Sequence, residues 1–287
     1  MAPHFDASHA RKLGLAVEHL ATHDPEHEAF GARSHRYQFT RPLTPARRRA
    51  IERKLGVDLP DEYATFLSTN GSGAGPYEGL LPLDARSQLE LLDGDFPARK
   101  AWNEPGDPAF EMPTATRGTI ALGHLGCTYW ALLVVRGPAR GQVWLDLRSA
   151  NAGFVPAYRS FRAYYDKWLA ALVDGKTVAL PLDPKACGLP HALDQAIARF
   201  ARDRGRTAAR LSHHEVARAL AAIPDGAIAL RASNDRFFDD GDPVNPCPSC
   251  ASTLGTLLAS GAMRPAQVLR GVAPLPSRVG ATKTSGR

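Results

Sequence analysis

The stretch TPARRRAIERKLGVDLPDEYATFLSTNGSGAGPYEGLLPL, Thr44 to Leu83, decides the fold of the larger part of this chain. Thr44 followed by Pro45 is a helix start, with the threonine as N-cap and the proline at the first helical position, where no backbone N–H is needed. Ala46, Ile51 and Leu55 supply an apolar stripe, and Gly56 ends the helix by taking the left-handed conformation. Leu59-Pro60-Asp61 opens a second helix whose inward face is Tyr63, Phe66 and Leu67. Asn70-Gly71-Ser72-Gly73 then turns the chain, because Asn and Gly tolerate positive φ.

Working toward the N-terminus, Ala10, Leu13, Ala16, Val17 and Leu20 recur at helical spacing within residues 7–22, with Ser8 as the expected cap. Six histidines (His4, His9, His19, His23, His27 and His35) precede residue 36 without a fixed ligand spacing, and they read as solvated surface. Toward the C-terminus, Thr119–Leu122, Tyr129–Val135 and Gln142–Leu147 alternate with Gly and Pro turns and are expected strands. Helical period returns from Ser160 to Leu172, with Phe161, Tyr164, Tyr165, Trp168 and Leu172 on one face. Two helices, a run of strands and a further helix imply an α+β fold with an antiparallel meander.

The chain has 287 residues, 44% of them hydrophobic and 22% charged, so a sizeable core is expected and global disorder is not. No apolar run reaches the roughly 18–20 residues a membrane-spanning helix needs. The N-terminus shows no basic segment leading into a continuous apolar stretch, so the expected location is the cytoplasm. The net charge of +6 and a pI near 9.3 permit contact with nucleic acid or an acidic protein without requiring either. Four cysteines, of which only Cys247 and Cys250 are close in sequence, exclude a disulfide framework.

With those residues in place, Leu55-Gly56, Leu59-Pro60, Tyr63, Phe66-Leu67, Asn70-Gly71 and Gly79-Leu80-Leu81-Pro82-Leu83 resemble the SUKH superfamily, as do Gly141, Val143-Trp144, Ser160-Phe161 and Trp168-Leu169. That superfamily includes fungal cell-wall-synthesis regulators and many bacterial immunity proteins. The resemblance covers roughly residues 42–173. It implies an α+β domain that works by holding a protein partner, in bacteria often a toxin, and it supplies no catalytic residues. The residues themselves agree: Gly56 and Pro60 shape a turn, while Tyr63, Phe66, Trp144 and Trp168 fill a core. His124 and Cys127 lack an orienting acid and read as structural.

A second constellation lies further on. Ser212 caps an expected helix opening with His213-His214-Glu215, an expected strand follows at Ala227–Leu230, and Pro246-Cys247-Pro248-Ser249-Cys250 leads into a helix over Ala251–Ser260. This order resembles the zinc-dependent nucleoside and nucleic-acid deaminases. The resemblance implies His213, Cys247 and Cys250 as zinc ligands and Glu215 as the proton shuttle between a zinc-bound water and the departing amine. If the zinc were structural, a fourth ligand would be needed, and Cys187 or the other histidine is available.

The segment Asp174–Pro190, rich in Gly and Pro, reads as a linker, and Arg199, Arg202, Arg204, Arg206 and Arg210 form a basic run beyond it. The run suits either a solvated helix face or a phosphate backbone. The expected organisation is therefore a helical extension (1–40), a SUKH-like domain (41–173), a linker (174–190), a zinc-deaminase-like region (191–271) and a disordered tail (272–287). The expected function is partner or toxin binding by the first domain. A zinc-dependent deaminase carried by the C-terminal region is the alternative.

Overall fold

In the computed structural model, the described residues are 5–83, 94–104, 106–182, 187–230 and 244–268. The expected tail over 272–287 lies outside them. The chain divides into two units: one drawn from residues 1–125 and 129–178, the other from 126–128 and 179–273.

The first unit begins with α1 (Ala7–His23). Its N-cap is Asp6, whose carboxylate accepts from His9 N at 2.9 Å, and not Ser8 as the sequence suggested. The two caps are close competitors in sequence, and an aspartate also complements the positive end of the helix. α1 buries Ala10, Leu13, Gly14 and Val17. Gly14 is required by a close approach: a Cβ there would lie 2.5 Å from Asn70 Oδ1, while Asn70 Nδ2 donates to Ala10 O at 2.8 Å.

After α2 (Ala32–His35), α3 (Pro45–Leu55) and α4 (Asp61–Thr69) form the expected helical pair. Thr44 Oγ1 caps α3 by accepting from Arg47 N at 3.2 Å, and Gly56 closes it at φ +66°. A short helix α5 (Pro108–Glu111) precedes the sheet, which consists of β1 (Thr119–His124), β2 (Trp130–Val134), β3 (Val143–Asp146) and β4 (Phe154–Tyr158). Each strand pairs antiparallel with the next, giving the order β1-β2-β3-β4.

Sequence reading did not anticipate β4. Pro156 argues against a central strand, but β4 is the last strand of the sheet, where a missing ladder donor is tolerated. The outer side of β4 meets Trp102, which exchanges backbone hydrogen bonds with Phe154 at 2.8 and 2.9 Å.

Helix α6 (Phe161–Val173) then packs against α4. Its start is satisfied twice. Ser160 Oγ accepts from Ala163 N at 3.2 Å, and the Glu62 carboxylate of α4 accepts from Arg162 N at 2.8 Å. Between the helices run Tyr63, Phe66, Phe161, Tyr165 and Trp168, with successive ring centroids 4.6–5.1 Å apart in tilted or edge-on contacts. That is the geometry aromatic quadrupoles favour.

One expectation about the N-terminal histidines fails. His35 is only 6% exposed, its Nδ1 accepts from Tyr37 N at 3.0 Å, and its ring stands edge-on to Trp168. A short helix carries it inward, which polarity of the surrounding sequence does not reveal.

The second unit contains α7 (Gly188–Arg202), α8 (His213–Ala221) and α9 (Pro248–Ala259), with α7 packed on both others. Its buried residues include Leu189, Leu193, Ala219, Leu220, Leu254 and Met263. Gln267, fully buried, donates through Nε2 to Leu220 O and Ile223 O at 2.9 and 2.6 Å, tying its segment to the close of α8. The strand expected at Ala227–Leu230 is reduced to a single parallel bridge between Ile228 and Val268. Four apolar-rich residues satisfy a strand pattern, but a ladder needs a partner strand, and among the described residues one pair meets.

Two outcomes follow from this packing. Gly79 holds φ +100°, and a Cβ there would sit 2.5 Å from Gly73 O, so Gly79→Ala is expected to cost more than about 1 kcal/mol in urea unfolding. Burial, with a smaller contribution from His27, lowers the pKa of His35 to about 4, against 6.5 in the unfolded chain. The unfolded state therefore binds the extra proton first, and stability falls as the pH drops from about 6.5 toward about 4, by about 3 kcal/mol in all. His35→Asn, which keeps an acceptor near Tyr37 N, should flatten that acid limb in thermal melts taken across this pH range.

Candidate metal centre

The site forms within the second unit, where two helix N-termini and one tight turn present thiols to a common point. Cys247 is the N-cap of α9, Pro248 occupies the first helical position, and Cys250 follows one turn on. A Cys-x-x-Cys at a helix start places both sulfurs at the positive end of the helix, which favours thiolates. Cys187 is the N-cap of α7 and shares that advantage. Cys127 comes from the tripeptide Gly126–Thr128, whose three residues all have positive φ (86°, 53° and 72°).

That tripeptide approaches the Cys247 segment closely. Cys127 N donates to Asn245 O at 2.9 Å, and Cys247 N donates to Cys127 Sγ at 3.2 Å. A Cβ on Gly126 would fall 2.4–2.6 Å from Pro246 O, Cys247 N and Cys247 Cα, so only glycine fits.

The sulfurs of Cys127, Cys247 and Cys250 all lie within 4.8 Å of one another, close enough to hold a metal ion. Cys127 and Cys250 are 3.6 Å apart, and Cys187 Sγ is 3.4 Å from Cys247 Sγ. None of the four cysteines is in a disulfide, and Cys187, Cys247 and Cys250 are fully buried. Hydrogen bonds from Cys127, Cys187 and Cys250 push the Cys247 thiol far below its usual range. Hydrogen bonding with Cys127, then with Cys187 and Cys247, and burial push Cys250 far above it. Thiol sulfurs gathered in this way form a donor set suited to a soft or borderline cation.

Of the residues singled out in the sequence, Cys247 and Cys250 come together. His213 does not join them: it is the exposed first residue of α8, and among the described residues the group of three ligand atoms contains no histidine. Glu215 is engaged locally. Its carboxylate accepts from Ser212 N and from Ser212 Oγ at 2.9 Å each, completing a capping box, and pairs with Arg206 at 2.5 Å. Those bonds from Ser212 hold the carboxyl below its usual range. In the basic run, Arg204 stacks over Phe200 at 3.6 Å, and Arg206 also donates to Arg210 O.

Cys127 is the member that sequence reasoning set aside. Its signal was available in the cysteine arithmetic, four thiols forming one potential set, but no local spacing links residue 127 to 247. His124, three residues earlier, belongs to the first unit and pairs instead with Glu78 at 3.2 Å, both side chains buried.

An antiparallel meander combined with an α3–α4 pair and α6 defines an α+β domain, accompanied by a smaller helical unit with a thiol cluster. Residues 42–167 match the SMI1 / KNR4 family (SUKH-1), which supports the resemblance of that stretch to the SUKH superfamily. No curated protein and no solved structure matches the chain significantly. No helix of the described residues is long and apolar enough to cross a membrane.

The α8 capping geometry is directly testable. Ser212→Ala removes the acceptor for Glu215 N and should lower the stability of the second unit by about 1 kcal/mol, read from hydrogen exchange of the α8 amides.

Proposed function

We propose that this chain is a cytoplasmic bacterial protein of immunity type, whose SUKH domain acts by holding a protein partner, a toxin in the first instance. We propose further that zinc occupies the cysteine cluster of its second unit. The family match over residues 42–167 carries the first part, since SUKH domains generally bind protein partners. The motif residues support it by their structural employment: Tyr63, Phe66, Trp144 and Trp168 are buried packing residues, and Gly56 and Gly79 set turns. The mutual approach of Cys127, Cys247 and Cys250 carries the second part, because buried thiolates at this spacing suit zinc. A reducing compartment such as the cytoplasm would keep those thiols available.

The deaminase alternative has no comparable support. It needs His213 beside Cys247 and Cys250 and Glu215 facing a zinc-bound water, whereas Glu215 is tied to Ser212 and Arg206. Nor does a specific contact favour nucleic acid over solvent at Arg199, Arg202, Arg204, Arg206 and Arg210.

The test is affinity capture with the tagged full chain from its source cells, followed by reconstitution with the purified partner. A stoichiometric complex is expected, together with relief of the partner's toxicity on co-expression. Absence of any stoichiometric protein partner, combined with zinc-dependent base deamination abolished by Glu215→Ala, would replace this reading with the enzymatic one.

A further inference from the structure

The proposed zinc has three evident ligands, and zinc in proteins is almost always four-coordinate. What fills the fourth position decides whether the site is a staple or a reaction centre. An open position admits water and permits hydrolytic chemistry, while a fourth protein ligand closes the site.

The geometry points to Cys187 as the fourth ligand, completing a closed four-thiolate site with Cys127, Cys247 and Cys250. Cys187 Sγ lies 3.4 Å from Cys247 Sγ and is fully buried. A tetrahedral zinc with Zn–S bonds of about 2.3 Å sets its sulfurs about 3.8 Å apart, within a few tenths of an ångström of the Cys127–Cys250 and Cys187–Cys247 separations; Cys187 Sγ stands beyond 4.8 Å from at least one of the other two sulfurs, so closing the tetrahedron requires its side chain to move inward. A disulfide would require about 2.05 Å, so the observed spacing fits sulfurs around a cation better than sulfurs bonded in pairs.

The surroundings suit four thiolates around a divalent ion, a net charge of −2. Cys187 and Cys247 stand at the positive ends of α7 and α9, and the backbone N–H groups of Cys247 and Cys250 donate to Cys127 Sγ and Cys247 Sγ. Such N–H···S bonds delocalise thiolate charge and orient the ligands. Binding forms four metal–sulfur bonds and transfers the remaining thiol protons to buffer, with no electrons exchanged.

The consequence is architectural. The cluster joins chain positions 60 and 120 residues apart, and the largest fully buried side chains of the described residues all belong to the first unit. A unit with a thin core gains most from a cross-link that removes this much freedom from the unfolded chain.

This inference rests on metal occupying the cluster, and the experiment separates the two. The full chain is purified under reducing conditions, its zinc is measured, and cobalt(II) is substituted to report the ligand set by absorption. One zinc per chain is expected, with the intense sulfur-to-cobalt charge-transfer and red-shifted d–d bands of a four-thiolate site. His213→Ala should retain both metal and spectrum, and Cys187→Ser should lose metal to a competing chelator. A wild-type cobalt spectrum of a three-sulfur site overturns Cys187 as ligand while leaving the metal reading intact, and it does so even if Cys187→Ser fails to fold. Absence of metal from the wild-type chain, with thiol titration showing two disulfides, overturns both.

Discussion

The cysteines of the second unit, with Cys127, Cys247 and Cys250 in mutual proximity and Cys187 beside Cys247, are the constraint on which the account of that unit depends. Three of them are fully buried, and hydrogen bonds from the neighbouring thiols push the Cys247 thiol below its usual range. Helix N-termini and backbone N–H donors act in the same direction. The local backbone is bent to suit: Gly126, Cys127 and Thr128 all adopt positive φ, a conformation that costs non-glycine residues about 1–3 kcal/mol each. Strain of that kind persists only where surrounding interactions hold it in place. A metal ion bound by all four sulfurs would do so, and would explain how α7, α8 and α9 keep their arrangement with few large buried side chains.

The first unit is organised by ordinary packing. An aromatic seam between α4 and α6 supplies the apolar contacts, and the polar groups at its ends are satisfied from across the seam. Glu62 caps α6, Tyr165 Oη donates to Ala74 O at 2.9 Å, and Arg140 reaches Asp58 O and Leu59 O at 3.1 and 3.2 Å. These are the residues that the SUKH motif supplies or contacts, so the motif describes how a scaffold is built.

The same division governs what could be read from sequence. Local signals carried the helices well: Thr44-Pro45, Gly56 and Ser160 mark boundaries that the structure reproduces, because caps act over three or four residues. β1, β2 and β3 were legible from their apolar runs. β4 was hidden by Pro156, whose acceptability depends on being at the sheet edge, a property of the assembled sheet. His35 was hidden likewise, since burial of a lone polar residue depends on what packs over it. At the cluster, Cys247 and Cys250 were visible through their spacing and Cys187 as a spare ligand, while Cys127 was not. Its membership depends on a turn that only glycine at 126 allows, and that approach is a tertiary event. His213-x-Glu215 carries a second local signal: a serine three residues before a glutamate also spells a capping box, and Glu215 completes one with Ser212 in the fold.

X-ray absorption at the zinc edge of the full-length protein, purified without added metal or chelator, tests the central claim most directly. The account predicts a single shell of four sulfur scatterers at about 2.3 Å, with no nitrogen or oxygen neighbour. A shell containing a histidine nitrogen or a water oxygen at about 2.0–2.1 Å would contradict it, and would return the site to an open, catalytic type.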